Sequence, residues 1–333
     1  MNPASAVDIR WIPVDDEGAP STVRRATTQL CEQLGLSGYR CAEIAIAATE
    51  LATNALVHAG GGAILLRSRS GGTVELVSID SGPAIDDFAR VLEDGVSTRG
   101  TLGIGLGAIN RIANRLDAYA VPGRGNVVVA VFRQEQDEPA PMAGIDGLTR
   151  PITGETICGD AWSYALDGGR CAVILADGLG HGPLAALAAT AALEHFVAGP
   201  FDGPATIIER AHRAIGTTRG AAVSVIDVDC ATGDVRFAGL GNVAARILDI
   251  DRANSLVPQP GIVGQQMRTV REVRTLAPRG SMIVLHSDGL TSKWDASAMP
   301  RLLGQAPDVV AATLLRDAGI RHDDATVVAV RVA

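Results

Sequence analysis

Aromatic side chains are scarce in this 333-residue chain, at 3% of the total: five Phe, three Tyr and three Trp. Its cores must therefore be assembled from Ala, Val, Leu and Ile. The 38 glycines allow tight helix packing and close backbone approaches. Runs of Lys and Arg are missing and the formal net charge is -8, so the basic footprint of a nucleic-acid-binding protein is absent. No nucleic-acid partner is expected. Cysteine is limited to Cys31, Cys41, Cys158, Cys171 and Cys230, with no two at C-x-x-C spacing. That argues against a zinc site or a redox pair and fits reduced thiols in the cytoplasm. The most apolar stretch, Cys171–Leu193, is broken by Asp177, Gly178, Gly180, His181, Gly182 and Pro183, so it cannot span a membrane. The N-terminus, MNPASAVDIRWIPVDDEG, carries acids and prolines where a signal peptide needs an apolar core.

What remains is ample for folding. Hydrophobic residues make up 47% and charged residues 20%, enough for two cores and too little charge for disorder. One segment reads as a linker: Glu135–Gly144, EQDEPAPMAG, with its charge and two prolines, should be extended and exposed. The expected organisation is one domain over 1–135, a linker over 136–144 and a second domain over 145–333.

In the first part the spacing predicts helices over Pro20–Leu34 and Tyr39–His58, the second with Ile44, Ala48, Leu51 and Ala55 on one stripe. Strands are expected over Ala63–Arg69 and Thr73–Asp80, around the turn Ser70-Gly71-Gly72. A helix over Gly105–Leu116 and a strand over Asn126–Arg133 follow, giving helices layered on a mixed sheet. The second part predicts strands over Gly169–Ala176, Ala221–Asp227, Asp234–Gly239, Ala244–Asp249, Arg271–Leu276, Ser281–His286 and Ala325–Val332. Helices are expected over Pro183–Val197 and Val309–Ala318.

Two constellations carry chemistry. In the first part no G-x-x-x-x-G-K-[ST] loop occurs. Instead ELATN places Glu50 and Asn54 four apart on one helical face. Asp80-Ser81-Gly82-Pro83 ends a strand, and a glycine-rich segment with Gly103, Gly105 and Gly107 leads into a helix. An amide oxygen at Asn54 suits Mg²⁺, and Glu50 suits a base for an attacking hydroxyl. Asp80 suits the adenine amino group, and the glycines expose N–H groups to phosphate. Singly each residue is ordinary, and His58 reads as a helix-terminal histidine; the ordered set is what carries the reading. In this order ELATNALVHA, SIDSGPAID and TLGIGLGAINRIA resemble the histidine-kinase-like ATPase superfamily, the Bergerat fold, nearest to the RsbT-type switch kinases of anti-sigma systems. The resemblance implies an α/β sandwich binding ATP with Mg²⁺. Ala84 stands where the family usually has a second glycine, and Asn126 where it has a late Thr.

The second constellation is a set of acidic turns beside apolar strands: Gly159-Asp160, Asp177-Gly178-Leu179-Gly180-His181-Gly182, Ser287-Asp288-Gly289 and His322-Asp323-Asp324. Brought to one sheet edge, these carboxylates would repel unless divalent cations neutralised them. Two such ions can activate a water against a phosphoester. GDAWSYAL, ILADGLGHGPLAALAA, FAGLGNVAARI, LHSDGLTSKWD and RHDDATVVAV resemble the metal-dependent type 2C protein phosphatases, in the SpoIIE and RsbX branch. That implies an α-β-β-α sandwich holding two Mn²⁺ or Mg²⁺ ions. The implied ligands are Asp160, Asp177 and the Gly178 carbonyl, with Asp288 and Asp323 completing the set and Asp324 as second choice for the last position. Asp177 is the implied catalytic centre. No phosphate-binding Arg stands out, Arg150 reading as surface. His181 is a possible proton donor, and Cys158 reads as a small buried residue.

Together these readings describe an α/β two-domain protein: a serine/threonine protein phosphatase with an ATP-binding, serine-kinase-like domain. Its expected setting is partner-switching signalling, with a phosphorylated STAS-domain anti-anti-sigma or stressosome-type protein as partner. The alternative is a non-catalytic binding switch of the anti-sigma type, in which ATP gates partner sequestration or phosphatase activity.

Overall fold

A computed structural model describes residues 7–69, 71–85, 88, 105–135, 144–250, 252–291, 293–320 and 322–332. The chain divides into two compact units, Ala6–Met142 and a second from Ala143 onward. The expected linker lies outside the described residues except for Gly144.

The first unit runs β1 (Val7–Val14), α1 (Ala19–Gln33), α2 (Gly38–Ala59), β2 (Gly62–Arg69), β3 (Thr73–Asp80), α3 (Leu106–Ile112), β4 (Arg115–Val121) and β5 (Gly125–Phe132). Ser37 starts α2, its Oγ accepting the Arg40 N–H at 3.2 Å, and Gly60 ends it in the left-handed region at φ 73°. The stripe Ile44, Ala48, Leu51, Ala55 is buried, as its spacing demands. Alternate residues of the sheet, Ile64, Leu66, Val74, Leu76, Val128 and Phe132, meet that stripe in one core. Burying each such side chain contributes ~1.5–3 kcal/mol.

Two expectations need correction here. The sheet order is β1-β2-β3-β5-β4 with every neighbouring pair antiparallel, not mixed. The helix expected over Gly105–Leu116 stops at Ile112, and Leu116 lies in β4 opposite Ala130. Asn114 imposes the reversal: its Oδ1 accepts from the Arg133 N–H at 2.7 Å and from Arg40 Nη2 at 2.8 Å. The helical spacing of the residues around it yields to these tertiary bonds.

The second unit is two five-stranded antiparallel sheets face to face. One holds β7 (Asp160–Asp167), β8 (Arg170–Gly178), β9 (Ala221–Asp229), β10 (Asp234–Leu240) and β13 (Val273–Leu276), in the order β13-β10-β9-β8-β7. The other holds β6 (Ile145–Arg150), β11 (Ala244–Leu248), β12 (Ala253–Leu256), β14 (Met282–His286) and β15 (Ala325–Arg331), in the order β12-β11-β14-β15-β6. Period-two alternation sorts their side chains. Val173, Leu175, Ile226 and Phe237 meet Ile283, Leu285, Val328 and Val330 between the sheets. Ile174, Ala176, Val223 and Val225 face outward, under α4 (Pro183–Val197) and α5 (Pro204–Ala214). The last helix, α6 (Pro307–Ala318), covers β15 and β6. This is the expected α-β-β-α sandwich.

Candidate functional site

Strand pairing builds the acidic site. In the β7/β8 register Asp160 sits opposite Asp177, so the first residue of one strand meets the next-to-last residue of the other. Ser287, fully buried at the end of β14, donates from Oγ to Asp160 Oδ2 at 2.7 Å and accepts the Thr326 N–H at 3.0 Å. That one hydroxyl ties the two sheets together at the edge where the carboxyls collect. Asp288 follows directly, within reach of Asp177, and Asn242 Nδ2 donates to Asp288 Oδ2 at the turn after β10. Asp323 faces Asp288 from the loop before β15.

Close approach of α4 shapes the same edge. A Cβ at Gly178 would stand 2.0 Å from the Ala185 carbonyl oxygen, so no other residue fits while the Ala-rich helix packs here. The buried face of that helix, Ala185, Ala188, Ala189 and Ala192, is what lets it come so near.

The carboxyls crowd one another at this edge. Among the described residues none of Asp160, Asp177, Asp288 and Asp323 forms an ion pair, and Asp160 Oδ1 is buried with no hydrogen-bond partner. Burial, followed by repulsion from Asp160 and Asp288, pushes the Asp177 carboxyl well above its ordinary range. Burial raises Asp160 too, against the opposing bond from Ser287, and burial plus Asp288 raises Asp323. Hard divalent cations are what such an oxygen-only donor set suits, and the unpartnered Oδ1 is an acceptor that such a cation could take.

Asp324, by contrast, has both oxygens in use. Oδ1 accepts the Ile152 N–H and Oδ2 the Gly159 N–H, each at 2.7 Å, and the residue is buried. It clamps the loop that carries Asp160. Arg150 is half-buried and donates to the Ile320 carbonyl at 2.8 Å, so it is not a plain surface residue. Cys158 is half-buried, and burial with Asp160 and Asp324 nearby keeps its thiol protonated. His181 is exposed, with Nδ1 3.4 Å from Glu155 Oε1.

In the first unit Asp80 Oδ1 accepts from the Gly82 N–H and from Asn126 Nδ2, each at 2.9 Å. Asn126 also takes the Ile85 N–H on its Oδ1 and donates to the Pro83 carbonyl, so it organises the loop after β3. A Cβ at Gly82 would fall 2.4 Å from Ala59 Cα, which seats this loop against the end of α2. Glu50 and Asn54 lie half-buried on α2, and neither side chain has a partner among the described residues. Burial raises the Glu50 carboxyl. Gly105 precedes α3 and Gly107 lies in its first turn; Gly103 falls outside the described residues.

Residues 167–333, half of the chain, match the family of stage II sporulation protein E (SpoIIE). The chain belongs to the SpoIIE family. Its first unit matches the histidine kinase-like ATPase domain over residues 12–132. The serine/threonine-protein kinase RsbT of Bacillus subtilis (strain 168) is 33% identical over 113 residues, covering 32% of this chain and 84% of RsbT. The phosphoserine phosphatase RsbX of the same organism is 27% identical over 175 residues, covering 52% of this chain and 86% of RsbX. A crystal structure of RsbX in complex with magnesium shares the fold at a TM-score of 0.52 and 23% identity, covering 57% of this chain and 94% of that one. This SpoIIE-family chain thus joins an RsbX-like unit to an RsbT-like one.

Asn242 and Ser287 escaped the sequence reading as site residues. Both lie inside motifs it quoted, yet only the strand register puts them against Asp288 and Asp160.

Proposed function

We propose that this serine/threonine protein phosphatase hydrolyses phosphoserine or phosphothreonine on a regulatory protein with the aid of two Mn²⁺ or Mg²⁺ ions. The observation that carries the reading is the convergence of four carboxyls, none ion-paired among the described residues, one with a buried oxygen lacking any partner. Asp177, beside Asp160 and Asp288, would hold metal together with Asp160, the Gly178 carbonyl, Asp288 and Asp323. Bound there, divalent cations would offset the carboxylate charge and lower the pKa of a water aimed at the phosphorus. Ser287 and Asp324 contribute by holding Asp160 and its loop still. Asn242 orients Asp288. His181, at the rim beside Asp323, is the proton donor for the departing hydroxyl. Hydrolysis of p-nitrophenyl phosphate tests this: turnover should need Mn²⁺ or Mg²⁺ and stop with EDTA, and metal-independent turnover would defeat it.

The RsbT-like unit binds ATP with Mg²⁺ through Asn54, Asp80, Gly82 and the glycines at 103, 105 and 107, with Glu50 as base. Among the described residues the Asn54 and Glu50 side chains have no partner, which supports that use. The fitting partner is a phosphorylated STAS-domain protein of the anti-anti-sigma or stressosome kind, which the two units would modify in opposite directions. Because simultaneous action would cycle ATP to no effect, ATP occupancy would gate one activity. A cytoplasmic setting accords with five free cysteines, and no described helix is long and apolar enough to cross a membrane.

A further inference from the structure

Recognition of a phosphoprotein calls for side-chain donors that meet the phosphate dianion, and the carboxyls themselves supply none. The described arginine nearest in sequence to the Asp160 loop, Arg150, is committed to the Ile320 carbonyl. Arg219 is different. It lies in the tight connection Gly216–Gly220 between α5 and β9, two residues ahead of the strand.

The backbone of that connection is fixed from several sides. Thr218 donates to the Ile215 carbonyl from its N–H at 2.9 Å and from Oγ1 at 2.7 Å. The Gly220 N–H donates to Thr218 Oγ1 at 3.1 Å, and Gln265 Nε2 donates to the Thr218 carbonyl at 2.9 Å. The Gly220 carbonyl accepts the Leu179 N–H at 3.0 Å, which joins the connection to the acidic turn itself. In the β8/β9 register Asp177 and Gly178 stand opposite Ala222 and Ala221. The Arg219 guanidinium therefore leaves at the carboxyl edge. A Cβ added at Gly180, three residues past Asp177, would stand 3.0 Å from its Nη1.

A fixed root and an uncommitted head make this residue suited to a ligand. The side chain is exposed, and among the described residues it forms no hydrogen bond and no ion pair, although four carboxyls lie at the same edge. A planar guanidinium offers paired N–H donors that match two phosphate oxygens at once, which an ammonium does not.

We propose that Arg219 binds the phosphate group of the phosphoprotein substrate, holding it over the carboxyl edge and selecting phosphomonoester dianions. This rests on the phosphatase reading above. It makes Arg219 a substrate-binding residue with no part in holding metal.

The test uses the full chain with saturating Mn²⁺ and a phosphoseryl peptide. Arg219→Ala should raise KM at least ~10-fold with a smaller change in kcat, the loss expected for one charge-assisted bidentate contact. The Kd for inorganic phosphate, measured by calorimetry on the Mn²⁺-loaded protein, should weaken by a similar factor, while the Kd for Mn²⁺ stays within twofold. Arg219→Lys should recover part of the phosphate affinity and not all of it. An active parent whose Arg219→Ala variant keeps its KM and its phosphate Kd overturns the proposal and leaves the phosphatase reading standing. A variant that loses Mn²⁺ affinity and phosphate affinity together also overturns it, since the residue then supports the metal edge. A parent inactive with Mn²⁺ overturns both.

Discussion

Replacing Asp324 by Ala separates two roles that a second aspartate in this motif can play, a metal ligand and a backbone clamp. Its two oxygens each accept an N–H at 2.7 Å, from Ile152 and from the buried Gly159. A hydrogen bond to a charged acceptor contributes ~1.5–3 kcal/mol, and a buried donor left bare costs about as much as the bond was worth. Losing both bonds should therefore cost about 3–5 kcal/mol. For a unit of this size 1 kcal/mol corresponds to ~2–4 °C, so the melting transition of the second unit should fall by roughly 6–20 °C. Asp324→Asn keeps the shape and turns one acceptor into a donor, so its fall should be about half as large. Scanning calorimetry of the full chain in EDTA reads this without metal. The same destabilisation should appear with Mn²⁺ present, because the clamp acts on the backbone. If Asp324→Ala melts within about 1 °C of the parent in EDTA and loses Mn²⁺ affinity, the clamp is refuted and Asp324 is a ligand.

Asp177→Asn should lower Mn²⁺ affinity and turnover together, by 100-fold or more in kcat, and full activity in the variant would remove Asp177 from the site. Its pH behaviour has a definite sign. The folded carboxyl is pushed up to about 9 from an ordinary value of 3.8. The metal-free parent therefore has its full stability below that lower value and loses it as pH rises toward 9. Melting in EDTA between pH 5 and pH 8 should fall in the parent and stay flatter in Asp177→Asn; parallel curves would contradict the repulsion described here. In the RsbT-like unit, Asp80→Asn should weaken ATP–Mg²⁺ binding about tenfold by calorimetry, while an unchanged Kd would take Asp80 out of the nucleotide site. Glu50→Ala should abolish phosphoryl transfer to a partner yet keep ATP binding, whereas Asn54→Ala should damage both. The labelling assay belongs in an Asp177→Asn background so that product is not erased, and undiminished labelling by Glu50→Ala would make Glu50 a structural carboxylate.

Much of the fold was legible because its strands and long helices announce themselves locally. The stripe of α2 and the proline-started α4 are helix signals that tertiary context does not oppose. The apolar runs of β8, β14 and β15 are equally plain. Three of the unread or misread elements have local signals that mislead. β1, DIRWIPV, carries Arg10 and Pro13 and is an edge strand, which tolerates both. β7 mixes small and polar residues with its aromatics, and the start of β4 keeps the helical spacing of α3 although Asn114 has already turned the chain. The acidic residues were visible because each stands beside glycine or another acid at the end of an apolar run. Which partner each meets was not, since that depends on strand register: Asp160 on Asp177, Ser287 on Asp160, Asn242 on Asp288. The clamping role of Asp324 and the Arg219 guanidinium, which has no partner among the described residues, likewise need the folded loops to be seen.

The central claim is that the carboxyl edge is a cation-dependent phosphatase site, and phosphate release from a phosphoseryl protein tests it most directly. The purified chain, stripped with EDTA and returned to graded Mn²⁺, should release phosphate only as the metal is restored, with two ions bound per chain at full rate. Release at full rate in EDTA, or no release at any Mn²⁺ concentration despite two bound ions, would contradict it.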